Sequence, residues 1–131
     1  MKPGVKLILF GGPAIVAFDT LASSASLLLC FPYAKASFVS TLIYGITGFM
    51  ATRIGGWKLV LAAGAALGLV DATLGWGVSW LSGPGKPPTG LAITPATWPI
   101  IAATVILGAT VTSAVGGALG RAATWAKLQS P

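Results

Sequence analysis

Apolar residues dominate this chain in four long runs, and short stretches between the runs hold most of its charged, Pro and Gly residues. The runs cover about 5–31, 36–52, 57–81 and 98–120. At 1.5 Å per helical residue, each is long enough, or nearly so, to cross a hydrocarbon core of ~30 Å. The pattern therefore predicts an all-α polytopic membrane protein: one transmembrane domain of four transmembrane helices, with a Pro/Gly-rich outer loop at 82–97.

The Lys and Arg residues lie mostly on one side of the predicted bundle. The six on that side are Lys2, Lys6, Arg53, Lys58, Arg121 and Lys127, and the two on the other side are Lys35 and Lys86. Because short cytoplasmic loops carry the excess of positive residues, we expect both termini, including a tail at 121–131, in the cytoplasm. The expected location is the cell (inner) membrane. The first run also has features of a signal peptide, but it resumes after Asp19, which favours a retained span.

The composition excludes several classes of protein. Only 8% of the 131 residues are charged, whereas a soluble domain has about a quarter. With no His and one Cys, we expect no metal site, no cofactor and no set of catalytic residues of the usual kinds. The net charge of +6 is spread too thinly to line a nucleic-acid groove, so we expect the lipid bilayer as partner, and no nucleic acid.

The chain contains an internal similarity. Residues 6–19, KLILFGGPAIVAFD, and 58–71, KLVLAAGAALGLVD, are identical at 6 of 14 positions, including the Lys and Asp at their ends. A weaker match relates the second and fourth runs. Together they predict a tandem duplication of a two-helix hairpin, a 2+2 parallel repeat whose copies enter the membrane in the same direction.

Asp19 and Asp71 are the only acidic residues, and the repeat places them at matched depth, ~20 Å of helix beyond a Lys. An ionised Asp at a helix centre costs ~2.5–3.5 kcal/mol on insertion scales, so such residues usually face the protein interior and mark function. We therefore expect at least one of them to be protonated. The predicted polar network around them comprises Ser23, Ser26, Thr47 and Thr110.

Small residues on the predicted helix faces indicate close packing. The packing positions are Gly12, Gly64, Gly68 and Gly75. Gly64 and Gly68 form a GxxxG pair, which permits close helix approach in lipid, more often within a bundle than between copies.

Two functions fit these features, and a third is remote. Paired intramembrane Asp residues favour a transporter or channel for protons, ions or a small solute, acting as a homo-oligomer because four helices enclose little volume. The alternative is a structural or assembly subunit of a larger membrane complex, with the Asp residues as hydrogen-bonding glue. The remote alternative is an intramembrane aspartyl protease of the presenilin or prepilin-peptidase type. Those families carry GxGD, whereas Gly68-Leu69-Val70-Asp71 lacks the second glycine, so we expect no enzyme.

Overall fold

The computed structural model describes residues 1–86 and 93–129, which form helices joined by short turns. The helices are α1, Pro3–Leu29; α2, Ser37–Val70; α3, Trp76–Ser82; and α4, Trp98–Gln129. A 3-10 turn, Tyr33–Ala36, precedes α2, and a π-helical segment, Asp71–Gly75, joins α2 to α3. The predicted all-helical character is confirmed for these residues.

Three helical stretches are long and apolar enough to cross a membrane: Pro3–Leu29, Tyr33–Ser82 and Trp98–Ala126. Large apolar side chains on their surfaces are exposed, among them Phe10, Leu28 and Leu107. A soluble protein rarely exposes so many large apolar side chains. The chain is thus that of a helical membrane protein.

The longest stretch turns back on itself at Gly56. This residue has φ 69° and ψ −164°, values outside the helical region that only glycine adopts without strain. Gly48, before the turn, and Gly64, after it, both lie against Ser113 of α4. Helix α2 therefore consists of a first half, 37–55, and a second half, 57–70, that pack side by side.

Helix α4 contacts both halves of α2 at distances that only glycines allow. A Cβ added to Gly48 would collide with the backbone of Ser113, and one added to Gly116 would collide with the carbonyl of Gly45. The Ser113 hydroxyl also donates a hydrogen bond of 3.1 Å to the carbonyl oxygen of Tyr44. Close contact between backbones is the small-residue packing typical of helices in lipid.

Helix α1 packs against the second half of α2 in the same direction. Gly4 lies against Leu59 near one end, and Gly12 lies against Val70 further along. The first half of α2 and α4 also run in the same direction, because Tyr44 is hydrogen-bonded to Ser113 and Thr52, further along, is hydrogen-bonded to Gly117. The acids at 19 and 71 are thereby brought to one end of the bundle, opposite Gly56.

The end of helix α4 lies beyond the predicted end of the fourth apolar run. Helix α4 continues to Gln129 instead of ending near Gly120, so most of the predicted tail 121–131 is helical. Gly120 packs against the backbone of Phe49, and the Ala-rich sequence beyond it favours helix. Residues 87–92 of the predicted Pro/Gly-rich loop lie outside the described residues.

Candidate functional site

The two acidic residues of the chain meet at Gly75. Asp19 lies in α1 and is only 3% exposed, while Asp71, at the start of the π-helical segment, is partly buried. A Cβ added to Gly75 would come within 3.0 Å of both Asp19 Oδ2 and Asp71 Oδ1. Because Gly75 has no side chain, the two carboxyl groups can approach one another over its backbone.

The π-helical turn accounts for part of this geometry. It holds Asp71 and Gly75 four residues apart in a wider turn than an α-helix has. Such local widenings occur frequently at functional sites in helices. The equivalent stretch after Asp19 is ordinary α-helix, so the two predicted repeats differ at their acidic residues.

Two tyrosines donate hydrogen bonds to the acids. The Tyr33 hydroxyl, in the 3-10 turn, donates to Asp19 Oδ1 at 3.1 Å. The Tyr44 hydroxyl, in the first half of α2, donates a short hydrogen bond to Asp71 Oδ2. Each carboxyl group therefore has one oxygen held by a tyrosine and the other oxygen turned toward Gly75 and the opposite acid.

Two buried oxygen atoms in this cluster have no hydrogen-bond partner: Asp19 Oδ2 and Ser23 Oγ. Ser23 is fully buried one helical turn beyond Asp19, and its side chain lies beside the Tyr33 hydroxyl. An ionised carboxylate only accepts hydrogen bonds, whereas a carboxylic acid also donates one. A proton on either acid would thus satisfy the oxygens that face each other at Gly75.

A cavity of about 320 Å³ adjoins the pair. Both acids, both tyrosines and Trp76 line it, and small or hydroxyl-bearing residues of α2 and α4 complete the wall. Among the described residues, no Lys or Arg lines it, and Lys35 and Lys86 are exposed. The cavity therefore combines acidic groups with aromatic rings.

The other predicted network residues lie elsewhere. Ser26 Oγ donates to the carbonyl of Phe31 at 2.7 Å, where it closes the end of α1. Thr110 Oγ1 donates to Ile106 of its own helix at 2.7 Å. Thr47 is buried and lines a separate, apolar cleft between α1 and α2. The structure thus brings together Asp19, Asp71 and Ser23. Ser26, Thr47 and Thr110 lie outside this cluster.

The predicted packing glycines have two different surroundings. Gly64 and Gly68 lie against the backbone of α4, so the GxxxG pair packs within the bundle. A Cβ added to Gly12 would lie 3.7 Å from the Val70 side chain of α2. Gly75 faces the acids instead of a helix.

The residues that sequence reasoning missed are Tyr33, Tyr44 and Trp76. Tyr33 follows the first apolar run and Tyr44 lies within the second, and no local pattern marks either as a partner of an acid. The signal for both was a hydroxyl group in a chain with buried acids, since buried carboxylates require donors.

Comparison with known protein families, with curated proteins and with solved structures gives no significant match to this chain.

Proposed function

We propose that the chain crosses the membrane four times and that its two hairpins form the predicted 2+2 repeat. A straight helix covering the 50 residues Tyr33–Ser82 would be about 75 Å long, more than twice a hydrocarbon core of ~30 Å. The turn at Gly56 divides this stretch into two lengths that each suit one crossing. Helix α1 runs in the same direction as the second half of α2, and the first half of α2 runs in the same direction as α4. These shared directions support a parallel repeat.

The proposed orientation places the Gly56 end in the cytoplasm. Five of the described cations lie at that end: Lys2, Lys6, Arg53, Lys58 and Arg121. Lys35 and Lys86 lie toward the opposite end of the bundle and are exposed. The excess of positive residues supports a cytoplasmic Gly56 end and an outward-facing acid pair.

The proposed function is proton-coupled transport of a small cation or polar solute through the cavity at the acid pair. The observation that carries the proposal is the convergence of the only two acidic residues on one point beside a cavity. Two ionised carboxylates this close repel one another, so the pair holds one proton between its facing oxygens. A cation that enters the cavity competes with that proton for the same negative charge.

The lining of the cavity supports a positively charged solute. The indole of Trp76 and the rings of Tyr33 and Tyr44 offer faces that attract cations. Since no described Lys or Arg lines the cavity, nothing there repels such a solute. An anion would meet two carboxyl groups and no described cation.

The assembly-subunit alternative has one observation in its favour. Both tyrosine hydroxyls are used to hold the acids to other elements, which is what hydrogen-bonding glue does. It does not account for Ser23 Oγ, which has no hydrogen-bond partner, or for the open cavity beside the acids. Glue is expected to be saturated by the groups it joins.

Flux through reconstituted vesicles tests the proposal. Vesicles of synthetic lipid would hold a pH-sensitive dye, with the membrane potential clamped by valinomycin and potassium. We expect the protein to accelerate collapse of a pH gradient when tetraethylammonium is present on the side of the membrane opposite to the higher proton concentration. Asp19→Asn and Asp71→Asn should each abolish this acceleration, whereas Ser26→Ala, a polar change outside the cluster, should keep it.

Flux, co-purification and peptide cleavage, measured on the same variants, separate the alternatives. Equal flux in the wild type and in both Asn variants would contradict transport through the acid pair. If the Asn variants lose no flux but fail to co-purify with a companion protein, the subunit alternative is supported. Cleavage of a transmembrane peptide that depends on Asp71 would support the aspartyl protease.

A further inference from the structure

A second polar cavity, of about 380 Å³, lies at the Gly56 end of the bundle, opposite the acids. Its lining residues are Thr52, Arg53, Gly56, Trp57, Arg121 and Thr124. Arg53 belongs to the last turns of the first half of α2, and Arg121 belongs to α4. Two arginines from different helices thus line one space.

Neither arginine has an acidic side chain near it. The chain has only two acidic residues, and both lie at the other end of the bundle. The Arg53 guanidinium lies 5.3 Å from the centre of the Phe49 ring, a cation–π distance that leaves its N–H donors available at its edge. The charges of this cavity therefore remain uncompensated within the described residues.

One hydrogen bond and one close packing contact join the helices around the cavity. Thr52 Oγ1 donates to the carbonyl oxygen of Gly117 in α4 at 3.0 Å. Gly120 packs against the backbone of Phe49 in the same region. The helices that carry Arg53 and Arg121 are thus held at a constant separation, which suits a site that binds one anion between two arginines.

We propose that this cavity binds the phosphate of an anionic phospholipid headgroup. Guanidinium groups bind phosphate through paired N–H donors, and two of them together match its negative charge. Trp57 lines the cavity, and an indole prefers the depth of the headgroups. Trp125, which follows the lining residue Thr124 in α4, is exposed and provides an apolar surface for acyl chains. This neighbourhood selects a lipid phosphate over a free phosphate ion.

Lipid-dependent stability tests the proposal. The protein would be placed in nanodiscs of phosphatidylcholine with increasing phosphatidylglycerol, and thermal unfolding followed by tryptophan fluorescence. We expect phosphatidylglycerol to raise the melting temperature of the wild type. The double variant Arg53→Gln with Arg121→Gln should need at least ten times more of this lipid for the same rise. Lys58→Gln, which removes an exposed cation near the turn but outside the cavity, should behave as the wild type.

Three results would overturn the proposal. One is an equal response to phosphatidylglycerol in the wild type and the double variant. Another is an equal loss in Lys58→Gln, which would indicate general charge attraction in place of a site. The third is full stabilisation by millimolar inorganic phosphate in phosphatidylcholine discs, which would identify a free-anion site. The double variant should retain the pH-gradient activity, so this proposal and the proposed function fail separately.

Discussion

Replacement of Gly75 by Ala is a direct test of the acid pair, because the added methyl group would lie where the two carboxyl groups converge. An added Cβ would lie within 3.0 Å of Asp19 Oδ2 and Asp71 Oδ1, closer than Cβ atoms are found in proteins. Overpacking of this kind costs about 1–3 kcal/mol. Separation of the acids would also remove a charge-assisted hydrogen bond, worth about 1.5–3 kcal/mol. We therefore expect Gly75→Ala to destabilise the protein by about 2.5–6 kcal/mol.

Gly77 provides the matched control, because it lies two residues further on and an added Cβ there meets no atom within 4 Å. In a helix, Gly→Ala at an unobstructed site stabilises by about 0.5–1 kcal/mol. Unfolding of both variants would be followed by circular dichroism in the same detergent. The expected order of stability is Gly77→Ala, wild type, Gly75→Ala. If Gly75→Ala is as stable as Gly77→Ala, the carboxyl groups do not converge over this residue and the reasoning fails.

Three further predictions concern the donors, the helix contact and the topology. Tyr44→Phe should destabilise the protein by about 1–3 kcal/mol because a carboxyl group loses its donor. Tyr33→Phe should destabilise it less because that residue is less buried. Equal melting temperatures in detergent for the wild type and both variants would contradict this expectation. Gly116→Ala should prevent close approach of α2 and α4, so that the purified protein is aggregated in size-exclusion chromatography, whereas a monodisperse peak of wild-type volume would argue against the contact. A membrane-impermeant maleimide should label native Cys30 from outside the cell and, in a Cys30→Ser background, Lys58→Cys only after permeabilisation; labelling of both from the same side would contradict the four-span topology.

Much of the fold follows from the sequence because lipid imposes simple requirements. Long apolar runs must be helical in lipid to satisfy their backbone hydrogen bonds. The structure confirms the all-helical expectation for the described residues. The turn at Gly56 falls within the predicted short connection between the second and third runs. The extension of α4 through Arg121 was not predicted because a Gly followed by a charge is typical of a helix end. Here Gly120 lies within the helix and contacts the backbone of Phe49.

The candidate site was only partly predictable. Asp19 and Asp71 stand out because acids are rare and costly in apolar runs, and the predicted repeat places them at one depth. Their tyrosine donors depend on the turn after α1 and on the hairpin at Gly56, which no periodicity reveals. Thr47 and Thr110 lie in apolar runs at a depth that would suit the site, but their side chains point away from the acids. The depth of a residue along a helix does not determine the direction in which its side chain points. The π-helical turn at Asp71, which brings Gly75 beneath both acids, has no sequence signature.

The most direct test of the central claim is infrared spectroscopy of the carboxyl groups, with Asp labelled by carbon-13 at the side-chain carbon. If Asp19 and Asp71 share a proton, the wild-type protein in lipid near neutral pH shows one protonated and one ionised carboxyl group. Asp19→Asn should then shift the band of Asp71, and Asp71→Asn should shift that of Asp19. Two fully ionised carboxylates, or single-variant spectra that simply add up to the wild-type spectrum, would contradict the shared proton.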